Sequence, residues 1–392
     1  MATVYLDNNA TTKVDPRVVA AMLPFFTEAF GNASSTHEYG ANVAPALKAA
    51  RQKVQALLGA EFDHEIVFTS GGTESDATAL LSALETTGRN EVVISAVEHP
   101  AVLNACQFLE KSDRAKVHVI PVDAGGQLDL DAFRAALSDK TALVSIMWAN
   151  NETGVIFPVA ELAALAKNVG ALFHTDAVQA VGKIPLALKD TAIDLLSLSG
   201  HKLHGPKGIG ALYVRKGLKL NPLFRGGKQE RGRRAGTENS PGIVGLGAAA
   251  EIAAQNFAAD FARVKNLRDR LEKGLLAKIP YSRVNGGGER LPNTCNIAFD
   301  YADGEAVLHH LDRSGVAASS GSACASGSME PSHVLRAMNV PPIALQGAIR
   351  FSLSRDTTDE DIARVLDVLP GLVARAREKS PLWLEISQKL TA

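Results

Sequence analysis

Two rhythms of apolar residues alternate along this chain. Short, nearly continuous apolar runs recur between longer stretches in which an apolar side chain returns every third or fourth position. The first pattern predicts buried strands and the second amphipathic helices. Strands are expected at about 65–69, 91–96, 116–121, 143–147, 171–175 and 194–199, with one more in A-L-Y-V-R, 211–215. Helical patterns follow Ser75, His99, Asp129 and Pro158. Strand–helix alternation of this kind predicts an α/β fold with a mostly parallel sheet covered on both faces. Ahead of it, Asp15 and Pro16 form a helix start, with Pro24 as a kink and an end near Gly31. A second helix is expected over 40–58, with Gly59 as its stop. An Ala-rich pattern over 241–279 predicts a long helix, in one piece or broken once, that bridges two domains. Beyond it, N-T-C-N-I-A-F-D, a helix from Glu305, V-A-A-S-S, S-H-V-L-R-A-M, A-I-R-F-S-L-S and a closing helix from Thr358 read as a smaller α+β domain.

Composition narrows the class without naming a chemistry. At 392 residues the chain exceeds the roughly 250–300 at which a single core stops growing. With 46% apolar residues, 21% charged and a net charge of −1, nothing predicts bulk attraction to nucleic acid or anionic lipid. The start, M-A-T-V-Y-L-D, lacks the pattern of a signal peptide. No apolar run reaches spanning length, since Glu251 breaks the Ala-rich stretch near Ile243. Cys106, Cys295 and Cys324 are odd in number and far apart, which fits a reducing cytosol. The expectation is a soluble, cytoplasmic protein.

Candidate chemistry gathers at strand ends, where open α/β sheets bind ligands. One strand delivers Asp176 and another delivers Ser199, His201 and Lys202, with Gly200, Gly205, Gly208 and Gly210 allowing close backbone approach. A lysine for a Schiff base and a carboxylate for a pyridine nitrogen suit pyridoxal phosphate. Alone, Asp176 reads equally as a turn residue and Lys202 as a solvated charge. In T-S-G-G-T-E-S, Gly72 and Thr73 stand where a helix N-terminus offers N–H groups to a phosphate, or where an ordinary turn is capped. Arg350 lies in a strand-like run, so an edge or site-facing position is expected, because an unpaired buried charge is costly. The basic run 225–239 could suggest nucleic acid, but Glu230 and Glu238 interrupt it. S-S-G-S-A-C-A-S-G-S is small, polar and glycine-rich, so Cys324 reads as a loop thiol able to act as a nucleophile. Cys106 and Cys295, among apolar neighbours, read as buried packing residues. No histidine has metal-binding spacing, so no intrinsic metal is expected.

H-T-D-A-V-Q followed by S-L-S-G-H-K-L-H-G-P-K-G resembles the core of the pyridoxal-phosphate cysteine desulfurases, nitrogen-fixation (NifS) type, close to the IscS subfamily. L-D-N-N-A-T-T, V-E-H-P-A-V, W-A-N-N-E-T-G, R-A-G-T-E-N and I-R-F-S-L-S-R extend the likeness along nearly the whole chain. The resemblance implies an aspartate-aminotransferase-like homodimer, with a large domain over 15–258 and a small one from 1–14 and 259–392. It implies that Lys202 carries the cofactor, Asp176 pairs with its ring nitrogen, Gln179 binds its phenolic oxygen, and His99 stacks on the ring and handles protons. Asn151 and Arg350 hold the substrate carboxylate, and Thr237 reaches the neighbouring subunit's phosphate. The implied reaction converts L-cysteine to L-alanine and leaves a persulfide on Cys324, for an iron–sulfur scaffold serving nitrogenase. While docked, Cys324 is also a candidate transient iron–sulfur ligand. Ala325 stands where the family usually has threonine or serine. The alternatives are a selenocysteine lyase or other aminotransferase-fold enzyme, a housekeeping desulfurase, or a non-catalytic sulfur-relay partner. The Lys202–Asp176 pair argues against the last, and the Cys324 loop against a plain aminotransferase.

Overall fold

The computed structural model describes residues 3–320 and 331–391. Its strands are β1 Val4–Tyr5, β2 Ile66–Thr69, β3 Glu91–Ser95, β4 Lys116–Ile120, β5 Thr141–Ser145, β6 Leu172–Asp176, β7 Leu195–Ser199, β8 Gly210–Val214, β9 Ser282–Val284, β10 Thr294–Phe299, β11 Val316–Ala317 and β12 Ala348–Ser352. Seven of them form one sheet in the order β2-β8-β7-β6-β5-β3-β4. From β7 to β4 all pairs are parallel, while β8 runs antiparallel to both β7 and β2.

Side chains on successive strand positions point to opposite faces. Val92, Ile94, Leu143, Leu195 and Leu212 therefore pack with helices Gly72–Thr87 and Pro100–Lys111 on one side. Val93, Val144, Phe173, Leu196 and Tyr213 pack on the other side with helices Ala44–Leu58 and Val159–Asn168. Covering both faces is what the continuous apolar runs required.

A separate core gathers Val4 and Leu6 with residues between Val264 and Ala376. It rests on the antiparallel sheet β12-β10-β9 and on β1 paired parallel with β11. Helix Ser240–Lys278 joins the cores: Ile243, Leu246 and Ile252 face the first, Val264, Leu271 and Leu275 the second. Its 39 residues form one unbroken helix, about 58 Å long at 1.5 Å per residue.

Several boundaries differ from expectation. The first helix is two, Pro16–Met22 and Pro24–Thr27, because proline cannot supply the N–H that continues the ladder. For the same reason the helix expected from Gly40 begins at Ala44, ahead of Pro45, after a separate turn Glu38–Ala41. Gly59 does end it, in the left-handed region (φ 59°). The helix expected at Ser75 begins at Gly72. β1, β9 and helix Pro381–Thr391 were not expected at all.

Candidate active site

Adjacent pairing of β6 and β7, with Asp176 opposite Ser197, sets two carboxyl ends side by side. Asp176 is the last residue of β6, and its carboxylate accepts from Val178 N–H at 2.9 Å. After β7 the chain tightens into a 3-10 turn, Gly200–Lys202. Gly200 accepts backbone bonds from Leu203 and Gly205 there. The turn swings Lys202 back, and its Nζ donates to the carbonyls of Asn9 (2.5 Å) and Ala10 (2.8 Å). His201 lies 3.1 Å from Thr11 Oγ1 through Nδ1. The segment 9–12 thus runs along this turn. It is fixed in turn by Asn9, whose Nδ2 donates to Thr294 Oγ1 and to Asn151 O.

These groups line a cavity of about 620 Å³, within the roughly 300–1,000 Å³ usual for small-molecule sites. Gly72, Thr73, His99, Asn151, Asp176, Gln179, Ser199, His201, Lys202 and Arg350 all contribute to its wall. Thr237 does not; it is exposed and absent from the wall of its own chain's cavity. Cys324 lies outside the described residues. Asn9, Asp76, Glu152 and His333 also line the cavity and were not singled out from the sequence. Asn9 stood in view within L-D-N-N, and Asp76 follows Gly72 by one helical turn. Glu152 and His333 carried no signal beyond proximity to W-A-N-N and the cysteine loop.

At one end, helix Gly72–Thr87 opens without a side-chain cap, leaving its first N–H groups directed outward. Gly71 precedes it and packs against Gly210, where an added Cβ would meet Gly71 Cα at 2.7 Å and Leu198 O at 2.5 Å. This close backbone approach makes a cradle suited to a phosphate.

At the other end, Arg350 is almost fully buried on β12, the edge strand of its sheet. Its guanidinium donates to Asn151 O at 3.1 Å and to Asp7 Oδ1 at 2.8 Å, which offsets the buried charge. His99 caps helix Pro100–Lys111 by accepting from Ala101 N–H through Nδ1 at 3.1 Å. With Nδ1 so engaged, the neutral ring carries its proton on Nε2.

Between these ends the wall is rich in buried acids. Burial raises the Asp176 carboxyl above its ordinary range, against the pull of His99 and Lys202. Asp76 is pushed well up, first by burial and then by Asp176, and its Oδ1 has no hydrogen-bond partner. Each of these neighbouring buried carboxyls makes ionisation of the other harder, and a cation between them would relieve this. His174 supplies none: burial lowers it to about 3, and it bonds Ser145 (2.8 Å) and Ser197 (2.9 Å) as a neutral ring. A buried carboxyl at the end of β6, a backbone cradle and a facing lysine fit a cofactor with a protonated ring nitrogen, a phosphate and an aldehyde.

The remaining candidates sort simply. Burial pushes the Cys106 thiol up to about 12 and the Cys295 thiol well above its usual value, so both are packing residues. The basic run folds onto its own chain, Glu230 pairing with Arg51 and Arg234 with Glu74. Among the described residues no cluster of three or more His, Cys, Asp or Glu could hold a metal ion, and no helix is long and apolar enough to cross a membrane.

Residues 4–365 match the family model of the class-V aminotransferases. A cysteine desulfurase of Gluconacetobacter diazotrophicus is 67% identical over 385 residues, 98% of this chain and 96% of that one. The cysteine desulfurase NifS of Azotobacter vinelandii is 59% identical over 385 residues, with the same coverage of both chains. A solved NifS-like protein superposes with a TM-score of 0.89 at 37% identity, covering 95% of this chain and all of that one. With a lysine and an acid on adjacent strand ends and such likeness along its length, the chain belongs to the class-V aminotransferase family and, within it, to the NifS-type cysteine desulfurases.

Proposed function

We propose that the cavity binds pyridoxal 5′-phosphate and L-cysteine, and that the protein moves the substrate's sulfur to Cys324, releasing L-alanine. One observation carries this reading: Asp176, Lys202, His99 and Arg350 line a single cavity with a helix N-terminus at its end. The N–H groups of Gly72 and Thr73 would receive the phosphate, and Ser199 and His201 would help to hold it. Asp176 would hold the ring nitrogen in its protonated form, and Gln179 would bind the phenolic oxygen. Bound in this way, the cofactor supplies an electron sink that lets the substrate's Cα–H and C–S bonds break.

Arg350, held by Asp7 and Asn151, takes the substrate carboxylate and fixes the amino acid's orientation. Lys202 Nζ removes the Cα proton; the carbonyls of Asn9 and Ala10 accept from its ammonium and favour that proton's capture. His99 offers a proton from Nε2, and takes one from the substrate thiol only after that first proton has gone. Cys324 attacks the substrate sulfur as a thiolate. The C–S bond breaks with its electrons left on Cβ, which takes the proton His99 offers; Lys202 returns one to Cα, and a persulfide stands on Cys324. Ser319, five positions before Cys324, pairs with Arg350 at the cavity wall.

The active form is a homodimer in which Thr237 completes the partner's phosphate site. The sulfur passes to an iron–sulfur scaffold, and the likeness to NifS favours one that serves nitrogenase. The test is Cys324→Ser: it binds cofactor and cysteine but releases alanine at least about a hundredfold more slowly and carries no persulfide, because an unactivated hydroxyl is a poor nucleophile. Cys106→Ser and Cys295→Ser keep their turnover. Alanine release from Cys324→Ser at the wild-type rate would overturn the assignment.

A further inference from the structure

Gln179 stands between two groups whose hydrogen-bonding roles cannot be exchanged. On one side Lys183 Nζ donates to its Oε1 at 2.7 Å; on the other its Nε2 donates to the carbonyl of Asn9 at 2.9 Å. An amine of lysine in this position supplies N–H, and a backbone carbonyl can only accept. Only one orientation of the Gln179 amide satisfies both, so the oxygen faces Lys183 and the nitrogen faces Asn9. The same Asn9 carbonyl also accepts from Lys202. Gln179 lines the main cavity, whereas Lys183 lines a separate small one behind Lys202, so its hydrogen-bonding link to a ligand runs through Gln179.

We propose that Lys183 is a positioning residue that locks the Gln179 side chain as a hydrogen-bond donor toward the cofactor's phenolic oxygen. This rests on the cofactor reading given above. Without Lys183 only the Asn9 carbonyl, shared with Lys202, holds the amide, and rotation would present its oxygen to a phenolate, turning an attraction into a repulsion. Burial, then Lys202 and Arg350, lower Lys183 to about 7. While charged, its ammonium can only donate to Gln179; a neutral amine can also accept, so the lock is strictest below that value.

The test compares two probes on the cofactor-free protein: pyridoxal 5′-phosphate and its 3-deoxy analogue, which lacks the phenolic oxygen. The wild type should bind the first about tenfold or more tightly relative to Gln179→Leu, the scale of a hydrogen bond to a charged group. Lys183→Met should lose the same preference, the double variant should lose no more, and Lys183→Arg should keep it. A merely structural lesion would weaken both probes by one factor and leave their ratio unchanged. If Lys183→Met does not fold, Lys183→Glu supplies an acceptor instead and should turn the preference toward the 3-deoxy analogue. Full preference in Lys183→Met or Lys183→Glu, or no difference between wild type and Gln179→Leu, overturns the proposal. A wild type that binds neither probe overturns the cofactor reading itself.

Discussion

Glu98 shows what a single buried acid does next to this cavity. It is fully buried, accepts from Ser95 Oγ and Met147 N–H, and burial raises it to about 8. An acid raised in the folded state binds its proton more tightly there than when unfolded. Its stabilising contribution is whole below the unfolded value near 4.5 and is lost as pH climbs through about 8. Glu98→Gln should therefore unfold at a less pH-dependent urea concentration than the wild type between pH 5 and 8. The difference should approach a slope of about 1.4 kcal/mol per pH unit. Parallel pH profiles for the two proteins would refute this. From the sequence, Asp176 and Lys202 were legible because strand ends are where ligands meet open sheets. Asp76 and Lys183 were not. The first is a polar residue turned inward from a helix, and the second acts across one turn of irregular chain, neither of which an apolar period registers.

At the level of elements, Gly210 matters more than its place in β8 suggests. It lets Gly71 approach, and Gly71 is the residue from which the phosphate helix starts. Gly210→Ala would force backbone against backbone, at an expected cost of about 1–3 kcal/mol. The displaced helix start should weaken pyridoxal phosphate more than it lowers the melting temperature of the cofactor-free protein. Calorimetry and cofactor titration together check this; unchanged cofactor affinity would count against the cradle. The central strands could be read from sequence because each is buried on both faces. The two-residue β1 could not, since Val4 pairs with Val316 and nothing local announces it. The early start of the Gly72 helix was hidden for another reason: its N-cap is a glycine with no side-chain signature.

Across the whole molecule, two cores meet along one helix, and we take them as two domains that change over within Ser240–Lys278. The proposed dimer is tested by mixing Thr237→Ala with Lys202→Ala subunits. Each mixed dimer would carry one site with both lesions and one with neither, so about half the wild-type activity should return per mixed dimer. No recovery after demonstrated subunit exchange would remove Thr237 from the partner's site. The segment around Asn9 has a consequence of another kind. Asn8 is bound to Ser352, 344 positions away, so at about 5–20 residues per second roughly 17–70 s of synthesis separate the two. The carbonyls that steady Lys202 are made early but cannot be seated until the last strand exists. A nascent chain should thus assemble its seven-stranded sheet well before it can hold its cofactor, and a ribosome-stalled fragment ending before residue 348 should fold in part yet stay colourless.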